Sequence, residues 1–382
     1  MKIRSRLNEL RIACLYYVFR LFPIKKNKVV FCNYVGKGYG CNPKYIAEEI
    51  LRRNKSWDLV WLVNSTEAKF PMGIRSVKHE SVKAIYELAT ASAWVDNQRK
   101  LSYNRKRKSQ YFIETWHGGG GPIKKLGADN PKNFNDKPYE STSRHMDRIV
   151  NVMISNSTSC TKVYRSAFLY TGEILECGYP RNDILINDWQ NIRPKVYKYF
   201  NLSLQRKTVL YAPTYRNNRN LDTYQLDMSR LLENLTDKFG DSWTLLMRLH
   251  PTMLQRAEEV NYSDNIINAS AYDDMQELLA ASDVLVSDYS SVISEFALTG
   301  KPIFLFATDI NEYTIERDFY VDYYGLPFPI AENNEALTKN IENFQEEEYA
   351  NKVTNYLQQV GMCEYGNAAC QVVNLIEDRI EK

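Results

Sequence analysis

Seven cysteines are spread over 382 residues, at positions 14, 32, 41, 160, 177, 363 and 370, with no C-x-x-C pair among them. Neither a zinc site nor a disulfide framework is indicated, and a reducing, cytosolic compartment fits. Strong net charge is also lacking. The 49 basic and 46 acidic residues leave +3, too little for wholesale binding to nucleic acid. The longest uncharged run near the N-terminus, Ile12 to Phe19, falls short of the roughly 20 residues that cross a bilayer, and no small-residue cleavage site follows it. Gly36-Lys37-Gly38-Tyr39-Gly40 lacks both the G-x-G-x-x-G spacing and a following G-K-[ST]. That excludes a dinucleotide fingerprint and a P-loop, while leaving the loop free to line a cleft. No carboxylates stand at metal-ligand spacing, and His79 and His145 have no companions at such spacing. No protein-bound metal and no cofactor are therefore expected, and these two histidines read as structural.

Hydrophobic residues at 44% and charged residues at 25% are those of an ordinary folded chain, and the length is enough for two domains. Buried strands are expected at Val29–Tyr34, Leu59–Val63, Tyr111–Thr115, Ile149–Ser155, Val209–Ala212, Leu245–Leu249, Val284–Ser287 and Ile303–Phe306. Helix-period segments at Pro43–Arg53, Val82–Ala91, Thr158–Phe168, Met275–Ala281 and Val292–Leu298 lie between many of them, which predicts an α/β protein with parallel sheets. The strand pattern lapses over Asp183–Lys207 and restarts at Thr208. We therefore expect a first domain over 29–195 and a second over 196–382, the second including terminal helices at Glu335–Phe344, Lys352–Val360 and Ala368–Ile380. Residues 1–28 combine Lys2, Arg4, Arg6, Arg11, Arg20, Lys25, Lys26 and Lys28 with apolar residues at helical spacing. This reads as a basic amphipathic helix for an anionic membrane surface, the alternative being a helix packed on the first domain.

Four loops follow predicted strands, where open parallel sheets bind ligands. In the first, Glu114-Thr115-Trp116-His117 runs into Gly118–Gly121, Pro122, Lys124 and Lys125. Four glycines mark unusual backbone geometry suited to an anion, the lysines supply charge, and the histidine is a proton acceptor. The second, Tyr211-Ala212-Pro213-Thr214-Tyr215-Arg216, offers a hydroxyl and a guanidinium for phosphate. The third is Arg248-Leu249-His250-Pro251. The fourth, Ser287-Asp288-Tyr289-Ser290-Ser291, enters a helix in which Glu295 is one turn along, within range of a ribose hydroxyl. Simple helix capping by Asp288, Ser290 or Ser291, and a structural His250, are the competing readings. The run Lys100 with Arg105-Lys106-Arg107-Lys108 reads as a solvated basic loop.

Together these motifs resemble the CDP-glycerol glycerophosphotransferase family of teichoic acid primases and polymerases. ETWHGGGGPIKKLGAD (114–129) is similar to the family's W-H-G-T-P-L-K-K-L-G-x-D, YAPTYR to its Y-A-P-T-[WY]-R, RLHP to its second histidine motif, and SDVLVSDYSSVISEFALTGKPIFLFATD (282–309) to its D-Y-S-S signature. KVVFCNYVGKGYGCNPKYI (28–46), WVDNQR (94–99), Arg317-Asp318-Phe319-Tyr320 and Leu326-Pro327-Phe328-Pro329 extend the likeness over nearly the whole chain. The chain departs at His117-Gly118-Gly119-Gly120-Gly121-Pro122, two residues longer than the family's His-Gly-Thr-Pro and without its threonine, a difference on the acceptor side. The resemblance implies a GT-B architecture of two Rossmann-like domains facing a cleft, the donor held by the second. It implies a peripheral enzyme at the cytoplasmic membrane face that transfers polyol phosphate from CDP-glycerol to a hydroxyl of an undecaprenyl-diphosphate-linked glycan or growing polymer. CMP would be released, in teichoic acid or capsule synthesis. In that scheme His117 is the general base and His250 stabilises charge on the leaving CMP. Thr214, Arg216, Ser290 and Ser291 bind the pyrophosphate, and Asp288 orients the loop or a histidine. CDP-ribitol as donor, or a GT-B glycosyltransferase using a nucleotide sugar, are the alternatives; the latter would release a nucleoside diphosphate.

Overall fold

The structure, a computed structural model, describes every residue except 1, 66, 68, 119–122, 134–135, 188, 217–224, 251–252 and 381–382. Among the described residues, thirteen strands form two all-parallel sheets. The first comprises β1 (Lys25–Cys32), β2 (Asp58–Val63), β3 (Ile74–Lys78), β4 (Ala91–Asp96), β5 (Tyr111–Glu114), β6 (Val152–Ser155) and β7 (Glu173–Glu176), ordered 3-2-1-4-5-6-7. The second comprises β8 (Lys207–Tyr211), β9 (Trp243–Met247), β10 (Ile266–Asn268), β11 (Val284–Ser287), β12 (Ile303–Phe306) and β13 (Ile330–Ala331), ordered 10-9-8-11-12-13. Each sheet thus reverses direction beside its first strand, between β1 and β4 and between β8 and β11. The loops after those strands open the crevice where such sheets take ligands. Two doubly wound units of this kind constitute the GT-B arrangement.

The strands read as apolar runs because both faces are covered. Val29 and Phe31 point into one core with Trp61, Ile113 and Ile154, while Val30 and Cys32 point into another with Leu62, Trp94 and Phe112. The second sheet has a single large core from Val209 through Phe304 to the helices Asn334–Glu342 and Glu346–Gln359.

The last helix corrects one boundary. Ala368–Ile380, expected with the second domain, packs on the first sheet, burying Ala368, Val372, Val373 and Ile376 beside Val29, Ile46 and Trp61. Asp183 accepts hydrogen bonds from Ala368 N at 3.0 Å and Ala369 N at 2.9 Å, satisfying its free N-terminal amides. The chain crosses back at Gly361, whose positive φ of 65° and the 2.0 Å between an added Cβ and Thr158 Oγ1 leave no room for a side chain.

The N-terminal helix, Lys2–Phe19, lies on the helix Val82–Thr90. Tyr16 is buried, and Ile12, Leu15 and Phe19 pack on the same core, whereas Leu7, Leu10, Tyr17, Val18, Leu21 and Phe22 stay exposed. Part of the basic run is not solvated as expected. Arg107 donates to the carbonyls of Phe19 and Phe22, both at 2.8 Å, closing that helix's C-terminal end. No described helix is long and apolar enough to cross a membrane.

Candidate active site

His117 follows β5 and faces the crevice between the sheets. Its Nδ1 lies 2.7 Å from the Asn97 carbonyl oxygen, which can only accept, so Nδ1 carries the hydrogen and Nε2 is the basic nitrogen. Tyr34, after β1, packs edge-on against the ring at 5.1 Å, and Trp116 flanks it at 4.1 Å. Burial pushes the imidazole down to about 4, and Arg181, Lys124 and Arg99 add to the effect against the Asn97 contact. The base is therefore neutral at physiological pH.

Gly118 meets the second half of the chain. Ser291 Oγ lies 3.7 Å from where its Cβ would stand, and its carbonyl oxygen is 3.2 Å from the Tyr164 hydroxyl and 3.1 Å from that of Tyr179. Gly119, Gly120, Gly121 and Pro122 lie outside the described residues. Lys124 pairs in antiparallel fashion with Phe319 and, among the described residues, has no ion pair within 4 Å. Burial lowers its pKa to about 8, with Arg317 adding and Asp288 opposing. It nonetheless stays largely cationic near neutrality. Its charge disfavours protonation of His117 and also of His250, which lies in the loop after β9 with its ring 5.4 Å from that of Tyr215. His250 keeps an open face, yet enough protein surrounds it for desolvation to lower its pKa, followed by Lys124, Lys37 and Arg248. Lys37 belongs to the glycine loop after β1. Pro251 lies outside the described residues.

At the second switch point Asp288 spends its carboxylate internally. It accepts from Thr214 N at 2.8 and 3.0 Å, from Tyr289 N at 2.6 Å and from Arg216 Nη2 at 2.8 Å. It orients the loops after β8 and β11. Arg216, expected on the pyrophosphate, is engaged elsewhere. Four of its five N–H groups go to Asp309, Asp288 and the Thr214 carbonyl, and its guanidinium carbon lies 4.9 Å from the Tyr289 ring and 4.8 Å from the Tyr313 ring, which stack on each other. Glu295, expected on a ribose, is fully buried: Arg181 binds one oxygen and Gln276 the other. Lys125 is paired with Asp318. These three depart from expectation for one reason: an internal counter-charge takes up the group that a phosphate or ribose would use. Ser290 and Ser291 stay half-buried at the start of the helix Val292–Phe296, where Ser290 Oγ accepts from Val292 N at 3.5 Å.

Among the described residues Lys124 is a half-buried cation with no ion pair within 4 Å, and the charge of Arg317 acts on it. Arg317 and Asn97 stand within the segments 317–320 and 94–99, where the sequence alone points to no role for them. Asn97 contributes a main-chain oxygen, which no side-chain reading finds. Among the described residues no group of three or more His, Cys, Asp or Glu is arranged to hold a metal. A cavity of about 1000 Å³ lined by Lys44, Asp274 and Glu277 includes neither His117 nor His250.

Burial also pushes His79 and His145 down to about 4, below the value of about 6.5 in an unfolded chain. The unfolded chain then binds more protons than the fold between those values. Stability is full above about 6.5 and is lost as pH falls toward about 4. The melting temperature is expected to drop over that interval, and His145→Met, which cannot take a proton, to flatten the slope. A pH-independent melting temperature would contradict this.

The family model described as CDP-Glycerol:Poly(glycerophosphate) glycerophosphotransferase matches residues 14–378. A Staphylococcus epidermidis teichoic acid poly(glycerol phosphate) polymerase is 31% identical over 374 residues, covering 94% of this chain but 52% of that one. A Bacillus subtilis polymerase of the same name is also covered to 52%, so the chain spans about half the length of these relatives. The Staphylococcus aureus teichoic acid glycerol-phosphate transferase is 30% identical, with 98% of this chain and 99% of that one covered. The solved wall teichoic acid polymerase TagF superposes with a TM-score of 0.85 at 28% identity, over 99% of this chain and 98% of the structure compared. A variant of TagF soaked with CDPG superposes with a TM-score of 0.84.

Proposed function

The chain belongs to the CDP-glycerol:poly(glycerophosphate) glycerophosphotransferase family, and on that premise we propose that it transfers glycerol phosphate from CDP-glycerol to a hydroxyl of a membrane-anchored glycolipid or growing polymer, in teichoic acid or capsule synthesis. The observation that carries this reading is geometric: Gly118, next to His117, lies against Ser291, so the loop bearing the proposed base meets the half-buried hydroxyls that follow β11. His117 Nε2 takes the proton of the acceptor hydroxyl. That oxygen attacks the phosphorus bearing glycerol, a new P–O bond forms, and the bond from that phosphorus to the bridging oxygen breaks. CMP departs with the bonding pair. Lys124, Arg317 and His250 offset the charge on the phosphoryl oxygens and the leaving group, the main contribution a protein makes to phosphoryl transfer. Ser290 and Ser291 are the hydroxyls available to the donor, while Thr214, Asp288 and Arg216 hold their loops in shape. Residues 29–195 carry the acceptor side and 196–367 the donor side. Glycerol is favoured over ribitol because relatives named for glycerol phosphate reach 31% identity against 28% for those named for ribitol phosphate.

The exposed Leu7, Leu10, Tyr17, Val18 and Phe22, among basic residues, support contact of the N-terminal helix with an anionic membrane. One assay tests both parts. The protein is mixed with anionic vesicles carrying an undecaprenyl-linked acceptor and given CDP-glycerol or CDP-ribitol separately. We expect it to cosediment with the vesicles and to release CMP from CDP-glycerol only when acceptor is present. CMP from CDP-ribitol alone would overturn the donor assignment, and a nucleoside diphosphate formed from a nucleotide sugar would overturn the reaction.

A further inference from the structure

The peptide just before His117 is strained. Trp116 has φ +52°, in the left-handed region that a bulky L-residue avoids. Such a conformation persists only where its surroundings fix it. Here its N–H donates to Glu114 Oε1 at 3.0 Å, and its carbonyl accepts from Asn42 Nδ2 at 3.2 Å. Asn42 also holds the Thr115 carbonyl at 3.3 Å. We propose that Glu114 is a positioning residue for the transfer reaction: through Oε1 it fixes the left-handed turn at Trp116 and so aims the His117 imidazole. This rests on the reading of His117 as the base.

The state of the carboxyl follows from its surroundings. Glu114 is buried at the end of β5, directly opposite Asp96 in the register of β4 and β5. Asp96 is already engaged by Lys100 and by Asn97 N and Gln98 N. Glu114 Oε2 is buried and has no hydrogen-bond partner. A carboxylate there would leave a bare anionic oxygen beside a second carboxylate. Burial and then Asp96 accordingly push the Glu114 pKa well up. The group is a neutral acid whose useful atom is the carbonyl-type oxygen Oε1, and an amide supplies the same acceptor.

The test compares two nearly isosteric variants. Glu114→Gln keeps an acceptor for Trp116 N–H, and Glu114→Met removes it while still filling the space. With CDP-glycerol and acceptor, Glu114→Gln is expected to retain kcat within about threefold of the parent. Glu114→Met is expected to lose at least tenfold in kcat, with KM for CDP-glycerol changed by less than threefold and the melting temperature close to that of Glu114→Gln. Equal activity of the two variants, whether high or low, would overturn the proposal, as would a loss confined to KM. A His117→Ala control separates the premise: if it keeps full activity the base assignment has failed, whereas an inactive His117→Ala beside a fully active Glu114→Met rejects only the role of Glu114.

Discussion

Replacing His117 by alanine is expected to lower kcat by about 100- to 10,000-fold, the range a positioned general base contributes, while CDP-glycerol binding measured by calorimetry changes only a few-fold. The separation follows from geometry. His117 is fixed by the Asn97 carbonyl and flanked by Tyr34 and Trp116, whereas the half-buried donor hydroxyls, Ser290 and Ser291, come from the other sheet. The imidazole is held at about 4 by burial and neighbouring cations, so the active neutral form dominates at pH 7 and is lost as pH falls through that value. The acid limb of kcat/KM, which reports the free enzyme, should therefore lie below the ordinary histidine range. A variant that turns over at the parent rate would leave the site without a base. A variant that loses donor binding in parallel with turnover would make His117 a donor ligand instead.

How much of this was legible in the chain depends on whether the signal is local. The loops after β5, β8, β9 and β11 announce themselves because glycine, proline, histidine and serine interrupt apolar runs, and the runs from Val284 and Ile303 coincide with β11 and β12. Ala91–Asp96 is different. β4 starts directly where the helix Val82–Thr90 stops, with no glycine or proline between them, so its first residue read as the helix end. The short strands Glu173–Glu176 and Ile330–Ala331 carry too few apolar residues to stand out. In the site, a guanidinium suited to phosphate is equally suited to a carboxylate. Only the fold reveals that Asp309 and Asp288 claim Arg216, and that Arg181, 114 positions upstream, claims Glu295. The left-handed turn at Trp116 has no compositional mark at all.

The Arg181–Glu295 pair leads to the second large effect. Both side chains are almost wholly inaccessible, at 3% and 2%, and they join the segment after β7 to the helix after β11. Arg181 also donates to Cys41 Sγ at 2.9 Å and lies over the Tyr179 ring at 5.0 Å. Arg181→Met keeps much of the apolar stem but leaves Glu295 buried with Gln276 as its remaining partner. Removing one member of a buried pair typically costs about 3–5 kcal/mol, mostly the penalty of the uncompensated charge. The urea midpoint of Arg181→Met is expected to fall accordingly. Arg181→Met with Glu295→Met should recover most of the loss, because two apolar side chains leave no charge to desolvate. The cleft should report the same event, since Arg181 supports the wall that carries Tyr179 and Gly118. The single variant should thus lose turnover as well as stability, and the double variant should regain stability without necessarily regaining rate. A single variant as stable as the parent would mean that water reaches Glu295 and that the two halves are not joined through a dry ion pair.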